Sequence, residues 1–184
     1  MPFSDPPPPA PGADAAEIHA WLDGAMRGRA EVLGSEPACR RGCDTCCSDV
    51  VGIRPWEEAR LAAAVLALPP VDRDGVRART TAAVRQSEGA FDAWPPPEVL
   101  RRDWRLGGRR CPLVDPADSS CLVWPSRPAT CRAHNVVEGP AGICDTPGAI
   151  GMAVPYADLL ALADRLHGAA PRRWLTAAVA EALG

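Results

Sequence analysis

Reactive side chains are most concentrated in residues 39–47, which contain four cysteines: Cys39, Cys43, Cys46 and Cys47. Four more follow at Cys111, Cys121, Cys131 and Cys144, which brings the total to eight. Thiols separated by two to four residues are typical of zinc and iron–sulfur sites, because the turn between them lets the sulfurs converge on one centre. We therefore interpret all eight cysteines as candidate ligands of zinc, iron or an iron–sulfur cluster.

The spacing inside residues 39–47 leaves the kind of site open. Cys43 and Cys46 have the two-residue gap, and Gly42 can adopt backbone angles that other residues avoid. Cys46 and Cys47 are neighbours, whose side chains point about 100° apart on a helix and to opposite faces of a strand. The doublet indicates a polynuclear cluster, two adjacent ions, or one ligand beside one structural thiol.

Length and charge limit the other functions. A chain of 184 residues is long enough for one domain with a modest core. Its net charge of -3 gives no electrostatic case for binding nucleic acid or an anionic membrane surface. The first residues do not resemble a secretory signal, and no apolar run approaches the length of a membrane helix. We expect a cytoplasmic protein whose partner is a metal ion, with no nucleic acid and no membrane.

The elements that must position the cysteines are predicted to be mainly helical. Residues 1–13 predict a disordered Pro-rich arm, and residues 14–184 predict a single domain with a cysteine-cluster lobe at 39–47 and 111–144. Apolar periodicity, a capping box and prolines predict helices over 14–34, 55–68, 71–87, 156–166 and 171–183. We expect the two C-terminal helices to pack against the first one. The predicted fold is mainly α with a small irregular β-hairpin, its helices packed around the metal-binding lobe.

The second cysteine group is predicted to lie on several short elements. Residues 111–124 predict the hairpin, with Cys111 and Cys121 at the starts of its strands. Cys131 follows on a short helical turn after a proline, and Cys144 lies in a Gly-rich loop over 136–152. His134 is also a candidate ligand, since an imidazole can replace a distant thiolate at zinc.

Arginines accompany the cysteines along the chain. Six of them lie within four residues of a cysteine: Arg40, Arg41, Arg109, Arg110, Arg127 and Arg132. Four thiolates on a divalent ion leave a charge of about -2, which nearby guanidinium groups would offset. We hypothesise that Arg127 and Arg132 lie beside the metal site. The arginines of residues 71–87, by contrast, are interpreted as a solvated helix face.

Taken in order, these motifs resemble the YkgJ-type cysteine-cluster family. The family pattern begins C-x2or3-C-x2-C-C and continues with C-P-L/F, a later C, and R-P-x-x-C-R. The matching residues here are Cys39, Cys43, Cys46 and Cys47, then Cys111-Pro112-Leu113, Cys121, and Arg127-Pro128-Ala129-Thr130-Cys131-Arg132. The resemblance covers residues 39–132 and implies chelation of zinc or iron, without implying a reaction.

Three functions stay open on the sequence alone. The leading one is a metal-binding protein that holds zinc, iron or an iron–sulfur cluster through its cysteines, with no reaction assigned. The second is an iron–sulfur redox or maturation enzyme, since Cys39, Cys43 and Cys46 have the spacing of a radical SAM cluster loop. Against it, Thr45 replaces the usual aromatic residue, and the strand and helix repeats of a barrel are missing. The third is a non-catalytic interaction adaptor with the Pro-rich arm as a docking peptide.

Overall fold

The computed structural model describes residues 3–34, 41–87, 104, 107–133, 136–137, 152–153, 156–167 and 171–184. Cys39, His134 and Cys144 therefore lie outside the described residues. The chain forms two compact units. Unit 1 comprises Met1–Arg40 and Ala129–Ala169, and unit 2 comprises Arg41–Pro128 and Ala170–Gly184. The grouping of residues 14–184 into one domain stays a prediction.

Helices make up most of the described secondary structure, which confirms the predicted fold class. In chain order the elements are α1 (Ala15–Val32), β1 (Gly52–Ile53), α2 (Pro55–Leu66), α3 (Pro70–Gln86), α4 (Ala129–Ala133), β2 (Val136–Val137), β3 (Met152–Ala153), α5 (Ala157–His167), β4 (Arg173–Trp174) and α6 (Leu175–Leu183). β1 pairs antiparallel with β4, and β2 pairs antiparallel with β3. The second pair lies at the two ends of the segment for which the sequence predicted only a loop. Among the described residues, no helix combines the length and apolar character needed to cross a bilayer.

Unit 1 is built on α1, which begins where the sequence predicted. The Asp14 carboxylate accepts hydrogen bonds from the backbone N–H groups of Ala16 and Glu17, at 2.7 and 2.9 Å. The Glu17 carboxylate accepts in return from the Asp14 N–H at 3.0 Å. This reciprocal capping box satisfies backbone donors that have no partner inside the helix. The buried face of α1 packs against α4, and α4 contacts α5.

The Pro-rich residues near the N-terminus contact α1 in this unit. The Trp21 indole Nε1 donates to the Pro6 carbonyl at 3.0 Å. Arg29 is 3% exposed, and its guanidinium donates at 2.8 Å both to Asp5 and to Asp158 of α5. A buried charge requires such compensation, because desolvation alone would strongly disfavour it. Asp5 and Pro6 thus contribute polar contacts to unit 1, and the disorder predicted for residues 1–13 stays a prediction.

Unit 2 holds an apolar core. Its buried cluster consists of Ile53, Leu61, Val65, Val76, Leu113, Val123, Leu175, Val179 and Leu183. α6 contributes the last three of these and packs against α2 and α3. The sequence predicted α1 as the partner of this last helix, and an amphipathic stripe does not specify which apolar face it meets. Pro55 opens α2 as predicted, and the Glu57 carboxylate there accepts from the Arg54 N–H at 3.0 Å.

Replacing the N-cap of α1 tests the local account of this helix. Asp14→Ala removes the two hydrogen bonds that the Asp14 carboxylate accepts from the first turn. The substitution should lower the free energy of unfolding by about 1 kcal/mol. Asp14→Ser, which keeps a capping oxygen, should lose much less. Urea denaturation followed by circular dichroism measures both variants. Equal destabilisation by Ala and Ser would contradict a capping role for the side chain.

Candidate metal centre

The described part of the first cysteine segment, residues 41–47, forms a tight turn in unit 2. Gly42 has a φ of 89°, a conformation that favours glycine, which agrees with the freedom predicted for it. A 3₁₀ helix then spans Thr45–Ser48, and the Cys47 N–H donates to the Asp44 carbonyl at 2.9 Å. The Ser48 hydroxyl donates to the Thr45 carbonyl at 2.7 Å and closes the same turn. The turn thus presents Cys46 and Cys47 one after the other on a compact backbone.

A backbone hydrogen bond joins this turn to the second cysteine segment. The N–H of Cys111 donates to the carbonyl of Cys47 at 2.7 Å, although the two residues are far apart in the chain. Beside this bond, the Arg110 guanidinium forms an ion pair with the Asp44 carboxylate. The structure therefore brings Cys47 and Cys46 close to Cys111. The convergence of all the cysteines of the two groups stays a prediction.

Cys121 reaches the same region through a minimal hairpin. Val114 and Cys121 form an isolated antiparallel bridge, and the Leu122 N–H donates to the Leu113 carbonyl at 2.9 Å. The connecting turn is held by the Asp115 N–H, which donates to the Ser120 carbonyl at 2.8 Å. The predicted hairpin is present in this reduced form. Cys111 and Cys121 both pack against the apolar core of unit 2.

The thiol of Cys46 is poised to ionise. A hydrogen bond with the Cys47 side chain is the main cause that lowers the pKa of Cys46, to about 7. Burial opposes this shift, and the charge of Arg127 supports it. Arg127 is held by stacking, with its guanidinium carbon 3.8 Å from the centre of the Trp124 ring. Arg127 thus favours the thiolate form of Cys46. The hypothesis that Arg127 lies beside a bound metal stays a prediction.

Cys111 has the opposite tendency. Burial raises the pKa of its thiol to about 12, because the apolar surroundings disfavour a thiolate. Negative charge on Cys121 or Cys46 would raise it further, while the Leu113 N–H and the Arg79 guanidinium act in the other direction. The pKa of Cys111 thus depends on the charge of both Cys46 and Cys121. The three thiols form one electrostatic group together with Cys47, whose side chain bonds to Cys46.

The other site residues predicted from the sequence lie outside this group of four cysteines. Cys43 lies half-buried just before the 3₁₀ helix, and Cys131 lies half-buried on α4 in unit 1. Arg132, the other arginine hypothesised to lie beside the metal, is 4% exposed and forms an ion pair with Asp23 of α1. That ion pair gives Arg132 a role in holding unit 1 together.

The donor set suits zinc or iron by its chemistry, since thiolates are the soft ligands that both accept. Within the described ranges, no three Cys, His, Asp or Glu side chains are already arranged around a point that could hold an ion. Zinc–sulfur bonds of about 2.3 Å place ligand sulfurs roughly 3.8 Å apart. Coordination by the cysteines of unit 2 therefore requires their side chains to turn toward a common centre. The assignment of all eight cysteines as ligands stays a prediction.

Sequence reasoning missed two charged residues of this region. Asp44, inside the first cysteine segment, anchors Arg110, and no spacing rule points to that pair. Arg79 of α3 was interpreted as part of a solvated face, yet its Nε donates to the Pro112 carbonyl at 3.0 Å. Both contacts join residues that are remote in the chain, so no local pattern could have identified them.

The opposite pKa shifts of Cys46 and Cys111 can be tested by alkylation. In protein stripped of metal and kept reduced, Cys46 should react with iodoacetamide with a half-maximal rate near pH 7, because its thiolate forms there. Cys111 should stay nearly unreactive through pH 9, since its thiol holds the proton up to about pH 12. Peptide mass spectrometry across a pH series separates the two sites. Equal labelling of Cys46 and Cys111 at pH 7 would contradict this electrostatic account.

Comparison with known proteins agrees with the cysteine pattern. A family model named CxxCxxCC and described as "Putative zinc- or iron-chelating domain" matches residues 38–147, more than half of the chain. No curated protein and no solved structure matches the chain significantly. The matched region contains both cysteine segments that meet in unit 2. The chain therefore belongs to the CxxCxxCC family.

Proposed function

We propose that this protein holds zinc or iron through cysteines of unit 2, with Cys46, Cys111 and Cys121 as ligands and Cys47 beside them as a structural thiol or as a ligand of a second metal atom. The observation that carries the proposal is the 2.7 Å hydrogen bond from the Cys111 N–H to the Cys47 carbonyl. It fixes two cysteine segments side by side, and family membership supports chelation as their purpose. Cys39, Cys43, Cys131 and Cys144 stay candidate ligands.

The surroundings of these thiols fit the charge of a metal–thiolate centre. Four thiolates on one divalent ion carry a net charge of about -2, and the guanidinium groups of Arg127 and Arg79 both favour the thiolate form of a nearby cysteine. Bound zinc would supply a closed cross-link, while bound iron would also supply a redox couple. A cytoplasmic location fits this role, since a reducing compartment keeps clustered thiols available to metals.

Metal analysis of Cys46→Ser tests the proposal. The serine removes one soft donor, so we expect metal affinity to fall at least about tenfold, with metal content measured by mass spectrometry. The binding energy of a structural metal is also folding energy. Treatment with a chelator should therefore lower the melting temperature of the natural chain by several degrees and change that of Cys46→Ser very little.

A matched variant controls for damage to the turn. Ser48→Ala removes the hydrogen bond to the Thr45 carbonyl and leaves every thiol in place, so it should keep its metal. Full metal content in Cys46→Ser would contradict the ligand assignment. A chelator that strips the metal and leaves the melting temperature of the natural chain unchanged would contradict the coupling to folding.

An iron–sulfur cluster is the second candidate, and one observation favours it. The side chains of Cys46 and Cys47 hydrogen bond to each other, so two adjacent sulfurs face the same surroundings. A mononuclear ion rarely uses two adjacent residues, whereas a cluster has several metal atoms to share between them. Anaerobic purification distinguishes the candidates: a brown protein with acid-labile sulfide indicates a cluster and a redox or maturation role, and a colourless protein with zinc indicates the first proposal.

A further inference from the structure

A cavity of about 320 Å³ lies beside the candidate metal centre, within unit 2. One side is formed by α3, through Arg79, Ala82 and Ala83, and the other by the segment that carries Arg109, Arg110 and Cys111. Cys111 is thus both a proposed metal ligand and part of the cavity wall. A volume near 300 Å³ is at the small end of the range for ligand pockets and suits a molecule of one ring.

The described part of the cavity wall has an excess of positive charge. Three guanidinium groups line it, those of Arg79, Arg109 and Arg110, and none of the described lining residues carries a carboxylate. Arg110 is paired with Asp44, outside the wall. The Nε of Arg79 donates to the Pro112 carbonyl. The guanidinium carbon of Arg109 lies 5.7 Å from the centre of the Trp104 ring. Neither Arg79 nor Arg109 has a carboxylate partner among the described residues, so their charges are available to an anion.

The rest of the described wall consists of the Gln86 amide and of apolar side chains, among them Ala83 and Val114. Trp104 is 2% exposed and lies buried with the Arg109 guanidinium over its ring, so it supports Arg109 from behind. Guanidinium groups bind carboxylate and phosphate through paired N–H donors, and an apolar body packs against apolar side chains. The two kinds of lining together select a ligand that has an anionic group on an apolar body.

We propose that this cavity binds a small organic anion, a carboxylate or phosphate attached to a flat apolar body. Arg79 and Arg109 bind the anionic group, and Ala83 and Val114 pack against the body. The inference goes beyond metal chelation, because it assigns a second ligand site with Cys111 in its wall. The cavity proposal does not depend on the metal, since none of its contacts with the anion passes through a thiol.

Calorimetric titration with matched probes tests the inference on the full chain. Benzoate and phenyl phosphate should each bind at one molecule per chain, and whichever binds tighter identifies the preferred anionic group. Benzamide, which has the shape of benzoate without its charge, should bind at least tenfold more weakly. Inorganic phosphate, which lacks the body, should also bind at least tenfold more weakly than phenyl phosphate. No binding of either organic anion at millimolar concentration would overturn the proposal, as would equal affinity for benzoate and benzamide.

A pair of arginine variants locates the site. Arg109→Gln should weaken binding of the preferred anion at least tenfold, while Arg85→Gln, at an exposed position of α3 outside the cavity, should leave it unchanged. Circular dichroism confirms that both variants are folded. Equal weakening in the two variants would indicate general charge attraction and would overturn the assignment.

The same samples separate this proposal from the metal proposal. Arg109→Gln should keep the metal content of the natural chain, because the substitution removes no thiol. A protein that binds benzoate or phenyl phosphate and takes up no zinc or iron would refute the metal proposal and support the cavity. A protein that takes up metal and binds neither anion would refute the cavity proposal and support the metal proposal.

Discussion

The hydrogen bond between the Cys111 N–H and the Cys47 carbonyl is the contact on which the candidate site depends. Cys111 lies in irregular backbone, and the Cys47 carbonyl lies in the last turn of a short 3₁₀ helix, where it has no partner within the helix. A buried unpaired peptide group is costly. Pairing the two segments with each other solves that problem for both. The same pairing brings Arg110 to Asp44 and places Cys111 near Cys46. The same hydrogen bond therefore pairs the peptide groups and brings the thiols together.

The parts of the fold that the sequence predicted well are those with local causes. The capping box of Asp14 and Glu17 acts over three residues, and Pro55 suits the first turn of α2 because its missing N–H is not needed there. Apolar residues at helical spacing place α3 and α5 within a few residues of their observed bounds. Such signals can be read from sequence because the interacting groups lie within one or two helical turns of each other.

The parts that the sequence did not predict depend on contacts between distant residues. The Trp21 indole bonds to the Pro6 carbonyl, and Arg79 reaches the Pro112 carbonyl from a helix that looks solvated in the sequence. α6 has an apolar stripe that could serve several partners, and only the shape of unit 2 selects α2 and α3 for it. For the site, residue types and spacing predicted which thiols matter as a group. They could not predict that Cys46 and Cys111 would have opposite acid–base behaviour.

That difference in acid–base behaviour follows from where the two thiols lie. Cys111 is packed against apolar side chains, and as a neutral thiol it behaves as one more small hydrophobic residue of the core. Ionising it places a charge against that core, so its proton is held tightly. Cys46 lies on the turn, where Cys47 and Arg127 favour a thiolate. Unit 2 can thus keep a neutral core while one thiolate is ready at its edge, and loss of the second proton is favourable only when a cation compensates the new charge.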